Sequence, residues 1–192
     1  GPLGRGRAVL AVARRHRTPE DGADGQPVVV AGGRVVVVAD VVLDKRPELC
    51  ATLGLRDATD LADAELVAQA YLRWGERCGE HLLGEVAAAV ADQRQGRLLL
   101  VRDHLGVRPL HVHEGGGAVR FASTALALTA LPGGPTALDE ERFRQYLGTQ
   151  MASDRSWVRG ARVVLPATTV TATPDSLRSR RYWRLPADPE PV

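Results

Sequence analysis

The stretch LLLVRDHLGVRPL, residues 98–110, is the most distinctive part of the sequence. Its apolar run, 98–101, predicts a strand that ends at Arg102-Asp103, which as a surface ion pair would contribute under about 1 kcal/mol. Gly106 predicts a turn, and Pro109 predicts the start of the next strand. We expect these residues to build the fold and to take no part in chemistry.

Strand pairs with short connections dominate the rest of the pattern. They are predicted at residues 28–30 with 35–38 (extending to 43), 86–91 with 98–101, 110–112 with 119–122, and 163–165 with 168–173. Helices are predicted at residues 47–54, 63–77, 124–131 and 139–147, and 63–77 has the clearest 3.6-residue apolar stripe. Because strands and helices do not alternate as in βαβ units, the sequence predicts an α+β fold with antiparallel sheets.

Composition is that of an ordinary globular protein, with 44% apolar and 25% charged residues and a net charge of +2 over 192 residues. The arginines are spread along the chain, so nucleic acid is not an expected partner. No apolar run reaches the length of roughly 18 residues that spans a bilayer, so no membrane is expected.

Cysteine and histidine patterns predict no metal site. Cys50 and Cys78 fit no zinc spacing and are predicted to be buried free thiols in a reducing cytoplasm. His111 and His113 would share one face of a strand, and His104 lies nearby, but no third ligand of fitting geometry is evident. We interpret them as ordinary strand histidines.

Several stretches together resemble the class II glutamine amidotransferase domain of the asparagine synthetase family. They are residues 98–110 followed by Phe121-Ala122-Ser123, Trp74-Gly75, Leu82-Leu83-Gly84, residues 15–22, residues 158–166 and Tyr182-Trp183. The resemblance implies an N-terminal-nucleophile fold, a four-layer αββα sandwich of two antiparallel sheets. The first four residues, Gly1-Pro2-Leu3-Gly4, look like a tag remnant, and the basic, proline-rich composition of residues 178–192 is typical of a linker. We therefore expect the glutaminase-like domain at residues 5–177, with the linker leading towards a synthetase domain.

The resemblance also implies which residues would carry the chemistry. A working glutaminase of this class uses a first-residue cysteine as nucleophile, with its own α-amine as base, and an Asn-Gly pair for the oxyanion. No cysteine stands near the start, and Ala39 and Asp40 replace the Asn-Gly pair. Arg17 and Asp63 match the residues that hold the substrate carboxylate and amine, although Asp63 also fits a helix cap. We therefore expect no catalytic residue, with a remnant of the substrate pocket at Arg17 and Asp63.

Three functions stay open at this stage. Residues 39–49 resemble the lasso peptide macrolactam synthetases. These relatives, like β-lactam synthetases, need no ammonia and therefore no working glutaminase. The resemblance thus favours a non-catalytic domain of a ring-forming ligase. Its partner would be a synthetase domain in cis or in trans that uses ATP and Mg²⁺, with a precursor peptide as a possible second partner. The alternatives are an active glutaminase domain whose terminal cysteine lies outside this chain, and a stand-alone module that binds an amino acid or a peptide.

Overall fold

A computed structural model describes residues 8–12, 25–55, 60–148 and 154–186. Its strands are β1 (Val28–Val30), β2 (Val35–Leu43), β3 (Gly84–Asp92), β4 (Arg97–Arg102), β5 (His111–Gly115), β6 (Ala118–Ala122), β7 (Ala161–Val163), β8 (Thr168–Thr173) and β9 (Ser176–Arg181). Its helices are α1 (Arg46–Leu53), α2 (Asp63–Trp74), α3 (Ala125–Thr129) and α4 (Glu140–Leu147), with a 3-10 helix at Gly75–Glu80.

The strands form two antiparallel sheets. The large sheet has the order β1-β2-β3-β4-β8-β9, and the small sheet has the order β6-β5-β7. The α+β class and the pair of antiparallel sheets predicted from the sequence are therefore confirmed.

The two faces of the large sheet bury two separate apolar clusters, because successive residues of a strand point to opposite sides. On β2, Val37 packs with residues of α1 and α2, whereas Val38 packs with Leu110 and Val112 of the small-sheet side. On β3, Ala88 belongs to the helical cluster, and its neighbours Ala87 and Ala89 belong to the other. Helices thus cover one face of the large sheet, and the small sheet covers the opposite face.

Two predictions about the C-terminal strands are wrong. The predicted pair 163–165 with 168–173 does not form, because β7 pairs with β5 in the small sheet and β8 pairs with β4 and β9 in the large one. The predicted domain end at residue 177 falls inside β9, so the folded unit continues through Arg181. β9 is mostly exposed and basic because it is an edge strand, and charged side chains on an edge strand discourage pairing with other chains.

The stretch 102–108 forms a loop in which the buried side chains of Arg102 and Asp103 bind backbone groups. The guanidinium of Arg102 donates to the carbonyl oxygens of Gly106 (2.6 Å), Arg108 (2.7 Å) and Val164 (2.5 Å). The residue is 9% exposed, so the predicted surface ion pair is replaced by a buried set of hydrogen bonds. The predicted structural role of this motif agrees with these contacts.

Candidate functional site

Ala39 and Asp40 lie in the middle of β2, within an unbroken ladder to β3. The register runs without interruption from Val35 opposite Asp92 to Leu43 opposite Gly84. The side chain of Ala39 packs in the helical core, and that of Asp40 points to the opposite face. The two side chains therefore cannot converge on one oxyanion.

The backbone amide of Ala39 is bound by the side chain of Gln26. Its N–H donates to Oε1 of Gln26 (2.6 Å), and its carbonyl accepts from Nε2 of Gln26 (2.8 Å). Amides of neighbouring strand residues face opposite sides, so the amide of Asp40 faces β3, where its ladder partner is Ala87. The amide of Ala39 is thus bound by a side chain, and the amide of Asp40 faces the neighbouring strand.

The carboxylate of Asp40 lies in a small charged cluster. Nη1 of Arg108 is 3.4 Å from Oδ1 of Asp40, and Nη2 of Arg108 is 2.8 Å from Oε2 of Glu85. Asp40 and Glu85 share one face of the sheet because Glu85 is opposite Val42 in the register. One guanidinium therefore serves two carboxylates, and the Arg108 side chain is only 13% exposed.

Asp63 is the first residue of α2 but does not cap it. The N-cap position is Ala62, and its N–H donates to Oε2 of Glu65 (2.8 Å). Oδ2 of Asp63 accepts from the N–H of Leu43 (2.7 Å), and Oδ1 pairs with Arg46. The alternative interpretation of Asp63 as a cap is therefore wrong, because the carboxylate links α2 to the end of β2 and to α1.

A cavity of about 780 Å³ lies between the large sheet and the small one. Its apolar wall includes Val38, Ala87, Ala89, Leu110 and Phe121. Asp40, Asp63, Gln26, Arg120 and Ser123 are polar residues of the lining. Both Asp40 and Asp63 thus reach the same cavity, whereas the predicted Arg17 lies outside the described residues.

Neither cysteine is a residue of the cavity wall. Cys50 lies on α1 and packs against the helical core, and Cys78 is fully buried in the 3-10 helix. Burial raises the pKa of the Cys78 thiol to about 12. Burial thus disfavours the thiolate of Cys78, which is the form of the side chain that acts as a nucleophile.

His113 and His104 make structural contacts. Nδ1 of His113 lies 3.0 Å from the carbonyl oxygen of Gly160, and the ring of His104 packs edge-on against Tyr182 with centroids 5.1 Å apart. Within the described ranges, no group of three or more histidine, cysteine or acidic side chains is arranged to hold a metal ion. Among the same residues, no helix combines the length and apolarity that a membrane span requires.

Sequence reasoning missed two residues of the site, namely Gln26 and Arg108. Gln26 acts on a residue 13 positions away, and Arg108 reaches carboxylates on two other strands. Such contacts depend on strand register and leave no local periodicity. The only available signal was the position of Arg108 at the end of the distinctive loop.

Residues 5–183 match the family of glutamine amidotransferase domains. The chain belongs to this family. The match covers nearly all of the sequence and includes the cavity, the Ala39-Asp40 pair and the 102–108 loop. It confirms the amidotransferase part of the resemblance drawn from the sequence.

Curated relatives of this amidotransferase domain are asparagine synthetases. Asparagine synthetase [glutamine-hydrolyzing] 3 of Bacillus subtilis (strain 168) is 26% identical over 199 residues, which cover 90% of this chain and 32% of that protein. A putative asparagine synthetase [glutamine-hydrolyzing] of Mycobacterium tuberculosis (strain ATCC 25618 / H37Rv) is 29% identical over 145 residues, 72% of this chain and 22% of that protein. The amidotransferase domain thus spans about a third or less of these relatives.

Solved structures support the same fold. The glutamine phosphoribosylpyrophosphate amidotransferase from B. subtilis complexed with ADP and GMP matches with a TM-score of 0.54 and 17% identity, over 82% of this chain and 32% of that one. A structure described as the allosteric regulatory enzyme of purine biosynthesis matches with a TM-score of 0.57, also at 17% identity, over 82% of this chain and 31% of that one. At this identity the likeness shows the fold alone.

Proposed function

We propose that this amidotransferase domain is a non-catalytic part of an ATP-dependent amide-forming ligase, of the ring-forming kind that includes lasso peptide macrolactam synthetases. The observation that carries the proposal is the regular β2–β3 ladder through Ala39-Asp40. An oxyanion hole needs donors aimed at an unoccupied point in space, and each such donor contributes about 2.7–4 kcal/mol to the transition state. Here the amide of Ala39 is bound by Gln26, and the amide of Asp40 faces the neighbouring strand.

The negative charge of Asp40 also disfavours an oxyanion at this position. A carboxylate accepts hydrogen bonds and repels a second negative charge, so an anion that forms beside it is destabilised. Arg108 offsets part of that charge, but Glu85 shares the same guanidinium. This cluster suits a structural role on the cavity wall better than the stabilisation of an oxyanion.

The partner in this proposal is a synthetase domain, supplied in cis or in trans. The relatives are about three or more times as long as the part matched here, which leaves room for such a domain. ATP and Mg²⁺ would act there, and this chain would bind neither.

An exposed apolar surface supports such a partner. α4 buries none of its residues, and Phe143 and Leu147 on one side of it are 47% and 67% exposed. Phe143 and Leu147 are four residues apart, so they lie on one face of α4. We propose that this face contacts the synthetase domain.

The first test concerns glutamine hydrolysis. The chain is incubated with glutamine and released glutamate is measured, both as it stands and with cysteine as its free first residue. We expect no release above buffer in either case, because the added thiol still meets no oxyanion hole. Glutamate release by the cysteine-first version would favour the active glutaminase alternative instead.

The second test concerns the nitrogen source of the ligase. The complete ligase is assayed with ATP and its precursor peptide, with and without glutamine or ammonium. A ring-forming ligase uses an amine within the peptide, so product formation should be the same in all three conditions. Dependence on glutamine or ammonium would contradict the ring-forming proposal and would indicate an asparagine-synthetase-like reaction.

The cavity favours the third function, a binding module. Its volume of about 780 Å³ falls within the range of roughly 300–1,000 Å³ that small-molecule sites occupy. This role is compatible with a ligase domain, since a non-catalytic domain can still hold part of a substrate.

A further inference from the structure

The edge of β2 that faces away from β3 becomes part of the cavity wall beyond the end of β1. β1 pairs with this edge no further than Val37. Beyond it, the N–H of Ala39 donates to Oε1 of Gln26 (2.6 Å), and the N–H of Leu43 donates to Oδ2 of Asp63 (2.7 Å). Two side chains of the cavity wall thus take the places that a neighbouring strand would occupy.

Val41, midway between Ala39 and Leu43, has both backbone groups open on the same edge. Alternate residues of an antiparallel strand direct their N–H and C=O to the same side, so Val41 faces the side that these two residues face. The register supports this, because Val86, opposite Val41, is bonded through both its N–H and its C=O to Asp103 on its far side. Val41 lines the cavity, and its N–H and C=O have no hydrogen-bond partner among the described residues.

This open position matches one residue of an extended peptide. The N–H and C=O of a strand residue are satisfied together when the residue opposite offers its own C=O and N–H. Ala39 and Leu43 are about 13 Å apart along the strand, which leaves room for roughly two or three ligand residues between the two side chains that bind them. An open strand edge of this kind is a place where proteins bind a peptide through its backbone.

The cavity wall beside Val41 favours a neutral ligand. Ala62 and Ala64 flank Asp63 at the start of α2, and both line the cavity without adding a polar side chain. The carboxylate of Asp63 is already paired with Arg46, so it offers a ligand no unpaired charge. Backbone hydrogen bonds therefore have to provide the recognition, and apolar contacts the remaining affinity.

We infer that the β2 edge at Val41 binds an uncharged peptide segment in an extended conformation, by strand addition. The N–H of Val41 donates to the carbonyl of one ligand residue, and the carbonyl of Val41 accepts from the N–H of that same residue. The ligand residues on either side of it direct their N–H groups away from β2. The inference goes beyond the proposed function, because strand addition needs neither a nucleophile nor a synthetase domain.

Wild-type protein tests strand addition without any mutation. Titrations followed by NMR compare N-acetyl-alanyl-leucyl-alanine N-methylamide with three analogues, each N-methylated at a different residue. N-methylation removes one N–H and keeps the side chain. Methylation of the residue that pairs with Val41 should weaken binding by at least about threefold, the equivalent of one net hydrogen bond, and methylation of its neighbours should have little effect. Equal effects at all three positions would contradict strand pairing.

The amide of Val41 provides a second measurement on the unmodified protein. Without ligand, its hydrogen should exchange with solvent faster than that of Val37, which is covered by β1. Saturating tripeptide should slow the exchange at Val41 and leave Val37 unchanged. A Val41 amide that is equally protected with and without the tripeptide would overturn the inference.

The Val41→Pro variant removes the donor while keeping the ladder to β3, since Val41 gives that ladder no hydrogen bond. Val29→Pro is the matched control: Val29 lies opposite Val36, whose backbone faces β3, so its N–H points to the outer side of β1, and it is not a residue of the cavity wall. Val41→Pro should weaken tripeptide binding by at least about threefold, and Val29→Pro should leave it unchanged. Circular dichroism verifies that both variants are folded.

Three results would overturn the inference: unchanged affinity in folded Val41→Pro, no binding of the tripeptide to the wild type, or binding of butyramide without binding of the tripeptide. The last result would indicate a subsite for a single carboxamide group. Glutamate release is measured separately, so the inference and the proposed function can each fail without the other.

Discussion

Replacing Asp103 with asparagine tests whether the loop that identifies the fold also stabilises it. Asp103 is 1% exposed, and its carboxylate accepts four backbone N–H groups. Oδ1 accepts from Leu105 (3.1 Å) and Val107 (2.9 Å), and Oδ2 accepts from Arg108 (3.0 Å) and Val86 (3.3 Å). Asparagine keeps one acceptor oxygen and places an NH₂ donor against the other two N–H groups.

The expected loss of stability follows from the two N–H groups that lose their acceptor. Each buried donor that loses its acceptor costs about 1–3 kcal/mol, and the donor–donor contact adds to the total, so we expect a loss of about 3–5 kcal/mol. For a chain of this size, that corresponds to a drop in melting temperature of about 6–20 °C. Asp175→Asn, on an exposed turn, should change the free energy of unfolding by less than about 0.5 kcal/mol.

Urea unfolding followed by circular dichroism measures both variants against the wild type. A loss below about 1 kcal/mol for Asp103→Asn would refute the reasoning, since it would mean that the loop rearranges and keeps all four donors satisfied. A loss as large in Asp175→Asn would show that the change from aspartate to asparagine acts by some general charge effect.

Further expectations concern the large-sheet core, the buried thiol and the exposed helix. Tyr71 donates to Asp92 (2.8 Å), so Tyr71→Phe should cost about 1–2 kcal/mol in urea unfolding. Burial raises the pKa of Asp92, but hydrogen bonds outweigh burial and bring this pKa down to about 2. The ionised carboxylate therefore stabilises the fold fully above about pH 4, and this contribution is lost as the pH falls towards 2. Asp92→Asn should flatten that part of the curve of unfolding free energy against pH. Cys78 should react with a disulfide reagent at pH 8 only after unfolding, and reaction in the native protein would contradict its burial. Serine at both Phe143 and Leu147 should weaken binding of a separately produced synthetase domain while leaving the free energy of unfolding within about 0.5 kcal/mol, and unchanged affinity in calorimetry would exclude this face of α4.

Local patterns predicted the elements whose burial follows from their own periodicity. The helix predicted at 63–77 is α2, shortened to Trp74 because the 3-10 helix takes over at Gly75. The run at 86–91 is most of β3, whose interior is buried on both faces. Pairing was harder to predict, since proximity in sequence favoured a hairpin about Pro166 where the chain instead passes from one sheet to the other.

The sequence predicts which residues belong to the candidate site, but it does not predict which residues they contact. The resemblance predicts a carboxylate, Asp40, where an oxyanion would form, but the partner Arg108 is 68 positions further along the chain and belongs to a loop. Asp63 was predicted either to bind substrate or to cap a helix, and its bonds to Leu43 and Arg46 arise only once α2 packs on the end of β2.

The 102–108 loop connects the fold to Asp40 on the cavity wall. Asp103 fixes the backbone of Arg108, and the carbonyl oxygen of Arg108 accepts from Arg102, so the side chain of Arg108 leaves a rigid base. That side chain reaches Asp40 and allows a carboxylate to stand on the cavity wall of β2. Because the loop is held by buried hydrogen bonds that do not involve the cavity, the scaffold can persist while residues 39–40 change. It follows that Asp40→Gly alone should not create an oxyanion hole, since the amide it leaves behind still faces β3.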